Sequence, residues 1–217
     1  MMTHAYHEMY LNSAQSRLAD MFDYALNVLN LSGEEFLDLF LVSDISKRFE
    51  IGDTPYILGK SGIEMVADML YKTKNAEVAL ENPPRYQRTP EYWIGWAMAY
   101  YQWYSNEHFS DIFNAISFEE LQHLYTPLHE ADITKFIEVI NERMETCYPE
   151  TKLKRLRQMR GRTQSQLAKE AEVNLRSIQM YEQRNKDINN ASAITLYRIS
   201  KVLNCKIEDL LETTITS

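Results

Sequence analysis

The sequence contains little glycine, proline or cysteine. Its 217 residues include 6 Gly and 6 Pro, too few for the frequent turns of a β-sandwich or a loop-rich fold. The 2 cysteines, Cys147 and Cys205, lack CxxC spacing, which excludes a disulfide framework and favours a reducing compartment. No stretch approaches the roughly 18 uninterrupted apolar residues of a membrane span, and residues 1–11 contain no apolar region typical of a signal peptide. We therefore expect a soluble, cytoplasmic protein with no membrane partner.

Charge is distributed unevenly along the chain. The overall net charge is −8, but residues 151–217 hold 13 Lys and Arg against 7 Asp and Glu, a net charge of +6. Residues 1–150 hold the remaining 10 basic and 24 acidic groups, a net charge of −14. Such a split suggests two domains with different partners. Because the residue before a proline disfavours helix, Pro149 marks the predicted boundary between domains of residues 1–149 and 150–217.

The acidic part, residues 1–149, contains repeated helix-start signals and no convincing strand pattern. A Ser or Thr oxygen can accept a free backbone N–H at a helix start, and a Glu three residues later can return the bond. The residues that fit this or a related start pattern are Ser32 with Glu35, Ser61 with Glu64, Ser117 with Glu120, Thr89 before Pro90, and Asp132. Asn82-Pro83-Pro84 predicts a loop. The expected fold is all-α.

Residues 91–104, EYWIGWAMAYYQWY, form a segment that is nearly apolar on all sides. A helix of this kind is normally the buried centre of a bundle, with Tyr and Trp tips reaching polar partners. The alternative is an aromatic ligand pocket or a base-stacking platform. We favour the core helix.

Motifs of enzyme chemistry are largely missing. HExxH, GxSxG and GxGxxG do not occur. Gly59-Lys60-Ser61 resembles the end of a P-loop, but the first P-loop glycine would fall at Thr54, and the next position is Pro55, which has no backbone N–H to offer a phosphate. We therefore expect no catalytic site, no cofactor and no metal. The abundant acidic residues fit a solvated face or, alternatively, a surface that binds a basic partner protein.

The basic part contains two short helical segments joined by a tight turn. Thr163 precedes QSQLAKE at residues 164–170, and Asn174 precedes LRSIQMYEQ at residues 175–183. Both Thr and Asn favour helix starts. Two short helices joined by about three residues are typical of the helix-turn-helix unit, whose second helix can enter the major groove.

The second of these helices has two distinct faces. At about 100° per residue, one arc of about 140° holds Leu175, Arg176, Gln179, Met180 and Gln183. Ile178 and Tyr181 lie on the opposite side, where they can pack against the first helix. Arg and Gln pair with guanine and adenine edges respectively, so the first face is predicted to read DNA. A generic amphipathic surface helix is the alternative.

Further features extend the pattern: TQSQLA at residues 163–168, VNLRSI at 173–178, Tyr181-Glu182, and CKIEDLL at 205–211. With them, residues 151–212 resemble the lambda-repressor-like, XRE-type helix-turn-helix family. The resemblance implies a five-helix bundle, in which Arg157 and Glu182 form a structural pair. It also implies that Leu175, Arg176, Gln179 and Met180 read bases. Phosphate contacts are expected from Thr163, Gln164, Ser177, Arg184, Lys186, Asn189 and Asn190.

The family commonly has Gly after the third helix, where this chain has Gln183-Arg184-Asn185. Asn can take the left-handed conformation there, which would shift the exit slightly.

These features predict a sequence-specific DNA-binding transcriptional regulator, an autoregulating repressor that binds a palindromic operator as a homodimer. The alternative is the antitoxin of a toxin–antitoxin pair, whose acidic domain neutralises a basic partner protein. A third hypothesis, an enzyme within residues 1–149, has no motif to support it.

Overall fold

A computed structural model of the chain describes residues 4–77 and 88–212. Within these ranges the secondary structure is helical and includes no β-strand, which confirms the all-α prediction. The predicted loop at Asn82-Pro83-Pro84 lies outside the described residues. The chain divides into two compact units, Met1–Cys147 and Tyr148–Ser217. Within the described ranges, none of the helices has the length and apolar character needed to cross a bilayer.

The first unit is a bundle of α-helices. In chain order they are α1 Leu11–Asp23, α2 Gly33–Val42, α3 Ile45–Glu50, α4 Gly62–Lys74, α5 Pro90–Ser105, α6 Phe109–Ala115, α7 Phe118–Leu128 and α8 Ile133–Cys147. A 3₁₀ turn at Glu8–Tyr10 precedes α1, and short π-helical segments at Tyr24–Val28 and Pro55–Gly59 follow α1 and α3.

Helix α5 lies at the centre of this bundle. None of its residues is exposed, and Ile94, Met98 and Tyr101 are almost fully buried, which confirms that it is a core helix. It packs so closely along α1 that a Cβ on Gly95 would lie 2.7 Å from the carbonyl oxygen of Leu18. A side chain at this position would push the two helices apart.

The predicted helix starts are found in the first unit. Ser61 with Glu64 and Ser117 with Glu120 form complete capping boxes, in which side chain and backbone bond in both directions. Hydrogen bonds from the backbone N–H of Ser61 and then from its hydroxyl lower the pKa of Glu64. The remaining starts are capped by Ser32, Thr89 and Asp132, each of which accepts a backbone N–H of its helix.

The second unit is a smaller bundle with its own core. Its α-helices are α9 Lys152–Met159, α10 Gln164–Glu170, α11 Leu175–Glu182 and α12 Ala193–Leu203. Short 3₁₀ turns occur at Ile188–Asn190 and Glu208–Leu210. The fifth helix implied by the family resemblance is thus a single 3₁₀ turn, whose Leu210 is fully buried beside Leu203 and Ile199 in the same core.

Candidate nucleic-acid interface

Helix α10 begins at the predicted residue. The Thr163 hydroxyl accepts the backbone N–H of Gln166 at 3.1 Å, and the Gln166 side-chain oxygen accepts the N–H of Thr163 at 2.8 Å. This capping box satisfies backbone donors that the helix itself leaves free. Leu167 and Ala168 face inward and are buried. The start of α10 is therefore fixed by bonds within three residues of sequence.

The turn between α10 and α11 is held by backbone and ionic contacts. The Val173 N–H donates to the Ala168 carbonyl at 2.9 Å. Glu172 has a φ of +52°, in the left-handed region that non-glycine residues rarely adopt. The Arg198 guanidinium of α12 lies 3.3 Å from the Glu172 carboxylate and donates to the Glu172 carbonyl at 3.3 Å. These contacts set the direction in which α11 leaves the turn.

Helix α11 has the two faces that its sequence predicts. The Asn174 side-chain oxygen accepts the backbone N–H of Arg176 at 2.8 Å and caps the helix. Ile178 and Tyr181 are buried, with exposed fractions of 0% and 5%. The other face is open: Leu175, Arg176 and Gln183 are exposed, and Gln179 and Met180 are half-buried.

A buried ion pair ties α9 to the end of α11. Arg157 donates from Nε and Nη2 to the two carboxylate oxygens of Glu182, at 2.6 and 2.8 Å. Glu182 raises the pKa of Arg157, chiefly through these hydrogen bonds. Arg157 also donates to the Arg162 carbonyl at 2.7 Å, and the Gln164 amide donates to Glu182 at 2.9 Å. The side-chain NH₂ of Gln164 is thus engaged within the domain, at the start of α10.

The exit of α11 differs from the expectation based on asparagine. Arg184, and not Asn185, takes the left-handed conformation, with a φ of +56°. Its N–H donates to the Tyr181 carbonyl at 3.1 Å, and its guanidinium donates to the Pro149 carbonyl at 3.1 Å. The left-handed residue therefore comes two positions after Glu182, where helices commonly place one. Here the left-handed conformation is adopted by an arginine, although glycine is the usual residue at this position.

The loop after α11 uses its two asparagines internally. The Asn189 side chain donates to the Glu212 carbonyl at 2.8 Å and accepts the Glu212 N–H at 2.9 Å. The Asn190 side chain donates to the Asp187 carboxylate at 2.9 Å. Lys186 is exposed, and its ammonium lies 5.3 Å from the centroid of the Tyr181 ring. The Asn189 bonds tie the loop to Glu212, and the Asn190 bond closes the loop on itself.

Two cations, one on the open face of α11 and one in the loop that follows the helix, are not paired with a carboxylate of the described residues. The Arg176 guanidinium and the Lys186 ammonium have no carboxylate partner among the residues that the structure describes, whereas Arg162 is paired with Glu170 at 3.0 Å. Gln183 shares the face with Gln179 through i, i+4 spacing and is a further candidate; the helical projection included it, but the family resemblance did not mark it. Ser177 is half-buried at the side of the helix. Within residues 4–77 and 88–212, no group of three or more His, Cys, Asp or Glu side chains is arranged to hold a metal.

Comparison with known proteins agrees with this architecture. Residues 153–210 match the family model described as helix-turn-helix. No curated protein and no solved structure matches the chain. Residues 153–210 of this chain therefore form a helix-turn-helix domain of the XRE type.

Proposed function

We propose that the chain is a transcriptional repressor that reads the major groove with α11 and autoregulates its own operon. An XRE-type domain supports the broader statement that the chain is a DNA-binding regulator. The observation that carries the finer proposal is the open face of α11, where an arginine without an acidic partner lies in the first turn of the helix. The first turns of recognition helices are the parts that reach base edges.

The base-reading residues in this proposal are Leu175, Arg176, Gln179 and Met180. Arg176 contributes most to specificity, because a guanidinium can bind both acceptors of a guanine edge at once. Leu175 is 38% exposed, enough to contact a thymine methyl group. Gln183 extends the same face by one turn.

The phosphate-contacting residues in this proposal are Thr163, Gln164, Ser177, Arg184, Lys186, Asn189 and Asn190. Lys186 is the best supported, because it is exposed and has no carboxylate partner among the described residues. A phosphate contact by Asn189 would replace one of the two bonds that its amide makes to Glu212. Phosphate contacts of this kind position the domain but carry no sequence information.

A homodimer is part of the proposal. One helix-turn-helix domain reads a half-site of a few base pairs, and two-fold partners read a palindrome. We assign the dimer contacts to residues 1–147, which form a unit with a core of its own.

The test compares two cationic residues that have different roles in the proposal. Arg176→Ala should weaken binding to the operator by about 1–3 kcal/mol and relax preference at one base pair per half-site. Lys186→Ala should weaken all sequences alike and lower the salt slope by about one unit for each phosphate that the lysine neutralises. Both variants are measured on the operator, on single-base variants and on random DNA across a range of salt.

Lys47 supplies the matched control for these two variants. Lys47→Ala removes an exposed cation of α3, outside the helix-turn-helix domain, and should leave base preference unchanged. If Arg176→Ala weakened every sequence by the same factor, Arg176 would contact phosphate and would not read bases. Gln179 would then be the leading candidate for base readout.

The second candidate function is an antitoxin, and the charge of the N-terminal part favours it. Residues 1–150 carry a net charge of −14, which suits a surface that covers a basic protein. In this case the product of a neighbouring gene would be a small basic protein that inhibits growth when expressed alone. Co-expression of residues 1–147 would restore growth if this unit neutralises the toxin, and would have no effect if the chain is a repressor only.

A further inference from the structure

The first unit contains a cavity between α5, α7 and α8. Its volume is about 290 Å³, just below the range of about 300–1,000 Å³ for small-molecule sites. Six of its lining residues have flat rings: Tyr92, Trp93, Trp96, Tyr125, His129 and Phe136. A space of this size and lining accommodates a molecule of one or two rings.

Ring contacts hold the walls of the cavity in place. Trp93 makes edge contacts with Tyr125 and Phe136, with ring centroids 5.7 and 5.5 Å apart. His129 stacks on Tyr125 at 4.5 Å, and its Nδ1 lies 2.9 Å from the Tyr125 carbonyl oxygen. Such aromatic pairs have preferred geometries, so the walls are preorganised and a ligand need not order them.

Arg88 supplies a positive charge in the lining of the cavity, whereas the Glu130 carboxylate lies outside the lining, 3.7 Å from Nε2 of the lining residue His129. Arg88 is an exposed lining residue whose guanidinium lies 5.4 Å from the centroid of the Tyr92 ring. Among the described residues it has no carboxylate partner, and none of the lining residues is an Asp or Glu. A guanidinium binds carboxylates through paired hydrogen bonds and repels cations.

We propose that this cavity binds a small aromatic carboxylate, with its ring among the aromatic side chains and its carboxylate on Arg88. The aromatic faces supply the apolar contact area, and Arg88 selects the charge. The proposal concerns residues 88–136 of the first unit alone. It goes beyond the function proposed for α11 and does not depend on it.

The experiment uses the full-length protein and three probes with the same ring: phenylacetate, 2-phenylacetamide and 2-phenylethylamine. Binding is measured by calorimetry and by the fluorescence of Trp93 and Trp96. Phenylacetate should bind about tenfold more tightly than the amide, because a hydrogen bond to a charged group adds that much affinity. The amine should bind more weakly than either.

Two variants and one control locate the site. Arg88→Ala should weaken phenylacetate by about tenfold and leave the amide unchanged. Ala131→Phe fills the cavity from an exposed lining position without removing core packing, and should abolish binding of phenylacetate and of the amide. Lys47→Ala makes the same charge change at a residue that does not line the cavity, and should alter neither.

Several results would overturn the proposal. One is the absence of binding by all three probes to the folded protein. Tighter binding of the amine would indicate a cation site instead. Undiminished binding of phenylacetate to Ala131→Phe would place the ligand outside the cavity. If Arg88→Ala lowered the affinities for phenylacetate and for 2-phenylacetamide by the same factor, Arg88 would not select a charged ligand.

Discussion

Two residues that flank α11 have left-handed backbones without being glycine. Glu172 precedes the helix with a φ of +52°, and Arg184 follows it with a φ of +56°. An L residue has a free-energy cost there, because its Cβ crowds the neighbouring carbonyl oxygen. Left-handed residues on both sides let the chain turn sharply before and after this helix of eight residues. The domain therefore accepts strain to fix the orientation of its exposed face.

Substitutions at Arg184 measure this strain. Arg184→Gly and Arg184→Ala both remove the bond to the Pro149 carbonyl, so their difference reports the backbone alone. We expect the glycine variant to be more stable than the alanine variant by about 0.5–1 kcal/mol. This difference is the free-energy cost of a left-handed alanine minus the cost of the larger conformational entropy that glycine loses on folding. Urea denaturation of the two variants gives this difference. Equal stabilities would mean that residue 184 is not held in the left-handed region.

At the scale of a helix, α11 combines a buried core face with the open face that we propose as the DNA interface. Ile178 and Tyr181 are buried in the core of the second unit, while Arg176 is exposed and Gln179 is half-buried. Helical periodicity alone separates these faces, since residues three or four apart share a side. Loss of DNA binding in a variant of α11 can therefore arise from impaired packing or from impaired readout.

Two adjacent residues of α11 distinguish these causes. Ile178→Ala should destabilise the second unit by about 2–4 kcal/mol, because it leaves a cavity in a fully buried position. Its loss of DNA binding should follow its loss of structure on heating. Gln179→Ala should melt at nearly the temperature of the unaltered protein, monitored by circular dichroism, and still lose affinity for the operator. Unfolding of Gln179→Ala would show that the residue supports the core.

The features that the sequence predicts well are those that depend on near neighbours. The caps at Ser61, Ser117 and Thr163 each need a partner within three residues, and all are present. Arg184 could not be foreseen in its left-handed role, because the position of the exit follows from how α11 packs. The engagement of Gln164 with Glu182, and the cavity behind Trp93, likewise depend on residues far apart in sequence.

At the scale of the whole molecule, the chain joins an acidic part and a basic part. Residues 1–150 carry −14 and residues 151–217 carry +6. DNA is a polyanion, and its attraction to a protein weakens steeply with salt as counterions are released. In the proposed repressor, the acidic part would add long-range repulsion of DNA, which disfavours non-specific binding and leaves affinity to the proposed contacts of α11. The proposed repressor would therefore depend on a correct sequence more than a uniformly basic protein does.

Separate expression of the two units tests this division of labour. Residues 148–217 should bind the operator more weakly than the full chain, because a single module reads only a half-site. Residues 1–147 should not bind DNA at all, since like charges repel. Circular dichroism first establishes that each fragment is helical, and binding is then measured at several salt concentrations. DNA binding by residues 1–147 would overturn the assignment of function to α11. Equal affinity of residues 148–217 and the full chain would instead show that the dimer contacts lie within the helix-turn-helix unit.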